Sequence, residues 1–356
     1  MKIDFVINSL VPGGAEKVLI LLANYFDEKG HEVTIITFNE PEIFKPNKTI
    51  KRVRLHHGKI KNHMIRSYLN LIGHYSKKSR RPDILMSYMI HTNLIATLVS
   101  RFYKIKLIAA EHTNHLSATD FIGRFTRKYA YKYVNALTVL TKFDRDFYES
   151  FGVKAFLMPN PSTFSIFYEE KRNREKVILA VSVLDKYHIK GFDNLIELIA
   201  PILKKHKDWK LKLVGGGTKG TNYIKELCLK NGIENSVIFV GYSDNVAEIM
   251  QKSEIYIMTS RREGLPMVLI EAMSQGMTCI SYNCTTGPSE IINHDHNGIL
   301  VEDQNHELMA VELEKLIVDE EKRELLAQNA TKSLDRFEIE KIYKDYMIIF
   351  DKLIHG

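Results

Sequence analysis

The chain is 356 residues long, 45% hydrophobic and 26% charged, an ordinary balance for a soluble protein and long for a single core, so two domains of about 150–200 residues are expected. No apolar run reaches the ~18 residues of a membrane-crossing helix, and a charge at Asp4 followed by the Pro12-Gly13-Gly14 break argues against a signal peptide. The net charge of +7 conceals an asymmetry: residues 1–160 carry 25 Lys/Arg against 13 Asp/Glu, and residues 161–356 carry 25 against 30, so the first half is suited to an anionic partner.

Lys2-Ile3-Asp4-Phe5-Val6-Ile7 reads as a buried strand. It runs into the loop Leu10–Glu16, which holds Gly13-Gly14, then an apolar-periodic helix from Lys17 to Phe26 and a second strand over 30–38. Strand, glycine loop, helix and strand make a Rossmann-like opening. Further short buried strands are expected at Asp83–Ser87, Leu107–Ala110 and Ala136–Leu140. Between the second and third strands, 59–81 combines Lys59, Lys61, Arg66, Lys77, Lys78, Arg80 and Arg81 with Met64, Ile65, Tyr68, Leu69, Leu71, Ile72 and Tyr75. That pattern fits a basic surface helix or one lying at an anionic membrane surface. No nucleic-acid recognition motif accompanies it, so nucleic acid is not an expected partner.

Met158-Pro159-Asn160-Pro161-Ser162-Thr163 is a turn-rich break, followed by the charged stretch Glu169–Lys176. The linker is therefore placed near 160–175. A second alternating region has strands near 177–183, 210–214, 237–240, 255–259 and 278–281, and an amphipathic helix from Phe337 to Ile354 ends the chain. The expected division is 1–165, 166–335 and a terminal helix 336–356, in an α/β architecture of two Rossmann-like domains. Cys228, Cys279 and Cys284 show neither metal spacing nor a disulfide framework.

The most informative stretch is Ser260-Arg261-Arg262-Glu263-Gly264-Leu265-Pro266-Met267-Val268-Leu269-Ile270-Glu271. It follows the buried run Ile255–Thr259 and opens a helix, Pro266–Gln275, with Pro266 in the first turn and Gly276 at the end. A strand, a glycine turn and a helix start place backbone N–H groups and a positive dipole end where phosphate binds. Glu263 and Glu271 flank that site, and two acceptors beside an anion site suit a hydroxyl-rich ligand such as a nucleotide sugar. A helix cap facing solvent is the plainer alternative.

Glu-x7-Glu with Gly264-Leu265-Pro266 after the first glutamate resembles glycosyltransferase family 4, of the GT-B fold: two Rossmann-like domains facing a cleft, with the last helix crossing back to the first. The resemblance covers most of the chain and implies a retaining, metal-independent enzyme that uses a UDP-sugar. It makes Glu263 the contact to donor-sugar hydroxyls and Glu271 the clamp on the ribose, with Ser260, Gly264, Leu265 and Pro266 lining the phosphate and Gly241-Tyr242 the base. Lys190, in Lys190-Gly191-Phe192-Asp193, resembles the family's diphosphate-binding lysine. Val183 stands where the family usually has an arginine, so Lys186 is the candidate second cation. His112, in Ala110-Glu111-His112-Thr113, is implied at the donor sugar's outer hydroxyl, with Glu111 either orienting it or pairing with a surface cation. Gly14 is implied near the diphosphate. His294-Asp295-His296 reads as a surface loop, and no metal or other cofactor is expected. The implied acceptor is a growing glycan on a polyprenyl diphosphate carrier, at the inner face of the plasma membrane. An epimerase or phosphorylase on the same fold, or a non-catalytic glycan-binding subunit, are the rival readings.

Overall fold

The computed structural model describes every residue except Pro12 and residues 168–173; that proline of the glycine loop and part of the charged linker stretch therefore lie outside the described residues. The chain forms two compact units, Met1–Pro161 with Phe337–Gly356, and Ser162–Arg336.

The first unit carries β1 (Lys2–Ile7), α1 (Gly14–Glu28), β2 (Glu32–Thr37), β3 (Lys51–Arg54), α2 (His63–Tyr75), β4 (Ile84–Tyr88), α3 (Ile90–Tyr103), β5 (Lys106–Glu111), α4 (Phe121–Lys128), β6 (Ala136–Val139), α5 (Lys142–Ser150) and β7 (Ala155–Leu157). Its seven-stranded sheet runs β3-β2-β1-β4-β5-β6-β7. All pairs are parallel; Ile3 sits between Val33 and Ile84. Strands β1, β4 and β5 are buried on both faces, which explains their near-continuous apolar sequences. β3 and β7, the two edges, escape a reading by periodicity because they have only four and three residues.

The second unit carries β8 (Glu175–Val181), α6 (Tyr187–Lys190), α7 (Phe192–Lys205), β9 (Lys210–Val214), α8 (Thr218–Lys230), β10 (Val237–Gly241), α9 (Val246–Gln251), β11 (Ser253–Met258), α10 (Met267–Ser274), β12 (Thr278–Asn283), α11 (Pro288–Ile291), β13 (Ile299–Glu302), α12 (His306–Val318) and α13 (Glu320–Lys332). Its sheet order is β10-β9-β8-β11-β12-β13, again all parallel. Residues 162–165 belong to this unit rather than the first. Ser165 accepts from Gln275 Nε2 at 2.9 Å, and Phe167 N–H donates to the Ser274 carbonyl at 2.8 Å.

The final helix, α14 (Ile339–His355), joins the first unit. Its apolar stripe Ile342, Tyr346, Ile349 and Phe350 enters the core formed by β1, β4 and α1. Phe350 stacks on Phe26 at 5.5 Å, and Tyr343 meets His31 Nε2 at 3.0 Å. Burying four large side chains of this kind contributes about 1.5–3 kcal/mol each before entropy is counted.

The opposite face of the first sheet packs against α2 and α3. Most of the apolar face of 59–81 is therefore packed into the core. Leu71 and Tyr75 are buried, Met64, Tyr68 and Ile72 pack against them, and only Ile60, Ile65 and Leu69 remain exposed. Arg81 donates to the Tyr75 carbonyl at 2.9 Å and lies over the Tyr103 ring. Lys77, Lys78 and Arg80 stay exposed.

Beneath this layer Tyr75 donates to the buried Asp4 carboxylate at 2.7 Å. Burial pushes the Asp4 carboxyl up to about 6. The native state therefore holds this proton at pH values where the unfolded chain has lost it, and the resulting stabilisation at low pH disappears as pH rises through about 6. Asp4→Asn removes the titration. In thermal melts from pH 4 to 7, the stability of Asp4→Asn relative to the parent should rise by roughly 2–3 kcal/mol. A pH-independent difference would show that folding leaves the Asp4 carboxyl in its ordinary range.

Candidate active site

In each sheet the strand order reverses beside the unit's first strand, β1 or β8. At such a point the loops leaving two neighbouring parallel strands part in opposite directions, and a crevice opens at their carboxyl ends. In the second unit the crevice lies between the loops after β8 and β11. The first carries Lys190 and the second carries Glu263.

The two side chains meet. Lys190 Nζ donates to Glu263 Oε1 at 2.8 Å, and both are largely shielded from solvent. Lys190 closes α6, a single helical turn, rather than lying in an open loop. Gly191 then turns the chain with φ +69° into α7, and a Cβ there would stand 1.9 Å from the Thr259 carbonyl oxygen. Only glycine allows that approach. Thr259 Oγ1 in return donates to the Gly191 carbonyl at 3.0 Å.

Arg261 was not among the residues singled out by sequence. Its N–H donates to the Ile189 carbonyl at 2.9 Å, and its guanidinium reaches Asp193 Oδ1 at 2.7 Å and Asn194 Oδ1 at 2.6 Å. The Arg-Arg pair ahead of Glu263 was the available signal. A third contact comes from the loop after β12. Thr286 Oγ1 donates to the Glu263 carbonyl at 2.6 Å, and Gly287, with φ +97°, has the Gly264 carbonyl oxygen only 2.3 Å from where its Cβ would be. Residues 259–266 are thus held from both sides.

Ser260, Leu265 and Pro266 are buried within this loop. Pro266 is the N-cap of α10 rather than its first residue, with φ −72° and ψ 97°. Its carbonyl takes the first intrahelical bond, from Leu269 at 3.1 Å. The N–H groups of Met267 and Val268 precede any intrahelical acceptor, so they and the helix dipole face the loop that Gly264 begins. Glu271 lies further along α10, buried, and accepts from Thr163 Oγ1. Thr163 is a second residue that sequence did not point to. Gly276, with φ +71°, ends the helix in the expected C′ position.

Gly241 is tied to the loop after β8 through backbone. Gly215 N–H donates to the Gly241 carbonyl at 2.8 Å, and Leu184 N–H to the Gly216 carbonyl at 2.7 Å. Tyr242 is exposed, its hydroxyl donating to Asp244 at 2.9 Å. Lys186, in a short 3-10 turn, is exposed, as is Val183. Arg262, next to Glu263, is a further exposed cation on the site loop.

His112 and Gly14 belong to the first unit. His112 follows β5 and stacks on Tyr88 with ring centroids 5.2 Å apart. Burial lowers its pKa to about 4, so it stands as a neutral imidazole at physiological pH. Its Nδ1 is buried without a hydrogen-bond partner. Glu111 neither orients His112 nor meets a surface cation. It is buried, accepting from Tyr131 at 2.8 Å and Thr113 Oγ1 at 2.5 Å, 3.7 Å from the equally buried Arg127. Gly14 opens α1 with nothing within 4 Å of an added Cβ. The His294–His296 loop is structural: His294 Nδ1 accepts from Leu300 N–H at 3.1 Å, and Asp295 pairs with Lys322 at 2.7 Å. Among the described residues no three His, Cys, Asp or Glu side chains gather as a metal-ligand set.

Comparison with known proteins places this geometry. Residues 12–161 match the family model described as Glycosyltransferase Family 4, and residues 162–333 the model described as Glycosyl transferases group 1. A Campylobacter jejuni protein is 31% identical over 98% of this chain and 97% of its own length. Its name is GalNAc-alpha-(1->4)-GalNAc-alpha-(1->3)-diNAcBac-PP-undecaprenol alpha-1,4-N-acetyl-D-galactosaminyltransferase. The chain belongs to glycosyltransferase family 4. The amylovoran biosynthesis glycosyltransferase AmsD of Erwinia amylovora is 28% identical over 97% of both chains. Among solved structures, Anabaena Alr3699/HepE in complex with UDP superposes with a TM-score of 0.80 at 19% identity, over 99% of this chain and all of that one. The fold is GT-B and the protein is a glycosyltransferase.

The glycine contacts separate two roles. Gly191→Ala should destabilise the second unit by roughly 2–4 kcal/mol, from a positive φ and a backbone clash, and should abolish transfer. Gly14→Ala, with open space around the new methyl, should melt like the parent. Calorimetric scans of both variants check this; equal melting temperatures for Gly191→Ala and the parent would mean that the 188–191 turn moves freely.

Proposed function

We propose that this glycosyltransferase moves a sugar, with retention of configuration, from a UDP-sugar to a glycan on a polyprenyl diphosphate carrier. The setting is bacterial polysaccharide or oligosaccharide assembly at the inner face of the plasma membrane. The observation that carries the reading is the Lys190–Glu263 pair at the reversal point, beside the N-terminus of α10. The lipid-linked acceptor in the Campylobacter relative's name and the UDP bound by the Anabaena protein support the acceptor and donor classes. The transferred sugar is a hexose or an N-acetylhexosamine.

The chemistry follows from charge. Breaking the glycosidic bond builds negative charge on the departing diphosphate. Lys190 and the first N–H groups of α10 lie where they stabilise it, and a lysine about 4 Å away contributes a Coulomb term of ~4 kcal/mol at an effective dielectric of 20. Glu263, relieved of Lys190, accepts from donor-sugar hydroxyls, and Glu271 exchanges Thr163 for the ribose. Gly241 and Tyr242 border the base. His112, uncharged above pH ~4, offers an imidazole nitrogen to a sugar hydroxyl. The donor's own phosphate oxygen takes the acceptor proton, so no side chain acts as nucleophile, and positioning supplies the rest. Two fixed sources of positive charge leave the diphosphate without need of a metal.

In the ligand-free protein Glu263 competes with diphosphate for Lys190. Glu263→Gln should therefore tighten UDP binding roughly fivefold, the ~1 kcal/mol of a part-exposed ion pair, while cutting transfer by one to two orders of magnitude. Glu271→Ala should weaken UDP binding by about tenfold or more, as expected for a lost hydrogen bond to a charged group. Titration calorimetry with UDP decides; parental binding and turnover in both variants would remove the site from this crevice.

Transfer should persist in EDTA, and Lys190→Ala should lower it at least tenfold because the lost charge acts mainly in the transition state. Loss of activity in EDTA with recovery on adding manganese would overturn the metal-free reading.

A further inference from the structure

Part of the first unit's excess of positive charge lies beside exposed aromatic rings on one surface. From Phe121 to Tyr133 the exposed residues are Phe121, Arg124-Phe125, Lys128-Tyr129 and Lys132-Tyr133. A cation followed by an aromatic ring recurs every four residues, so the three pairs follow one another along the outer face of α4 and the turn that continues it. The intervening residues Gly123, Thr126, Arg127, Ala130 and Tyr131 are buried. No acidic residue occurs between Asp120, which caps α4, and Asp144.

Neighbouring elements extend the surface. α3 packs against α4 and against the turn at 130–133. It is buried along most of its length but exposes Leu98, Arg101 and Phe102. Phe102 is 67% exposed and Phe121 73%. Arg101 lies over the Tyr133 ring at 5.8 Å, joining α3 to the turn that follows α4. Next to Tyr133 a pocket of about 410 Å³ is bordered by five cations, Arg101, Lys106, Lys132, Lys154 and Lys352, with Gly356 also in its lining.

Large exposed rings have a cost in water that an interfacial site removes. Phe and Tyr insert at the headgroup level of a bilayer, and interleaved Arg and Lys meet anionic lipid phosphates. Single-stranded nucleic acid also uses cations and rings, but it needs a groove. These side chains project from the outer face of two helices instead. We propose that the α3–α4 surface docks on an anionic phospholipid bilayer, with the rings inserted and the five-cation pocket holding a lipid phosphate headgroup. This deepens the membrane part of the reading above and rests on it. It moves the attachment from 59–81, whose apolar side chains are largely spent in the core, to 98–133.

The test is co-sedimentation of the full chain with vesicles of phosphatidylglycerol and phosphatidylcholine, and of phosphatidylcholine alone. The parent should bind only the anionic vesicles, less so at high salt. Arg124→Gln/Lys128→Gln/Lys132→Gln should lower the partition roughly 100-fold, and Phe121→Ser/Phe125→Ser/Tyr129→Ser at least tenfold. Lys77→Gln/Lys78→Gln/Arg80→Gln, outside this surface, should bind nearly as the parent does. Thermal melts matching the parent establish that the variants are folded. The proposal is overturned if the parent ignores anionic vesicles, if both α4 variants sediment as the parent does, if only the 77–80 variant loses binding, or if the parent prefers a single-stranded oligonucleotide to the vesicles. Transfer to a soluble acceptor is measured in parallel. Its failure counts against the donor chemistry, whereas lost sedimentation with intact soluble transfer bears on this surface alone.

Discussion

The reversal of strand order between β8 and β11 is the constraint on which the site depends. Parallel strands end their side of the sheet together, and connections diverging from the two central strands leave the space between them open. The candidate site residues of the second unit stand at the carboxyl ends of its strands: Lys190 after β8, Gly241 at the end of β10, Glu263 and α10 after β11, and Thr286 after β12. The close backbone contacts at Gly191 and Gly287 fix the loop between Thr259 and Pro266 against its neighbours. Loops whose backbone is fixed in advance let a site bind by exchanging side-chain partners alone.

Within this frame the ligand-free site satisfies its own charges. Lys190 is neutralised by Glu263, Arg261 by Asp193, and Glu271 is held by Thr163. A partly buried cation without a partner would be costly. The Lys190–Glu263 pair therefore keeps the ligand-free site stable. Arg261 plays another part. With its guanidinium shared between Asp193 and Asn194, it ties the loop after β11 to the start of α7.

The two units differ in charge. The second, slightly acidic overall, gathers a few cations at one crevice. The first carries a large positive excess, most densely over residues 43–82, with a further group of cations beside exposed rings on α3, α4 and the turn after α4. Its buried ionisable groups are compensated internally: Arg127 lies against Glu111, with its NH1 donating to the His115 and Ser117 carbonyls at 2.9 Å, and Tyr75 donates to Asp4. A basic surface therefore coexists with an electrostatically closed interior.

Much of this was legible in the chain. Buried parallel strands are continuous apolar runs, so β1, β4, β5, β6 and β11 stand out, and the Glu263–Glu271 spacing with Gly264-Leu265-Pro266 marks a strand, turn and helix start. The amphipathic stripe of α14 is equally plain. What the residues alone could not decide was which face each stripe covers and which partners long contacts supply. The apolar side of 59–81 is periodic whether it meets lipid or the sheet, and only packing against α3 assigns it to the core. The cation–aromatic pairs of 124–133 were in the sequence too, but Arg127 and Tyr131 interrupt them until the helix turns those two inward. The grip of Arg261 on Asp193, of Thr163 on Glu271 and of Thr286 on the Glu263 backbone spans tens to a hundred residues. Local propensity carries no information at that range, because such contacts exist only once the sheet has brought its strand ends together.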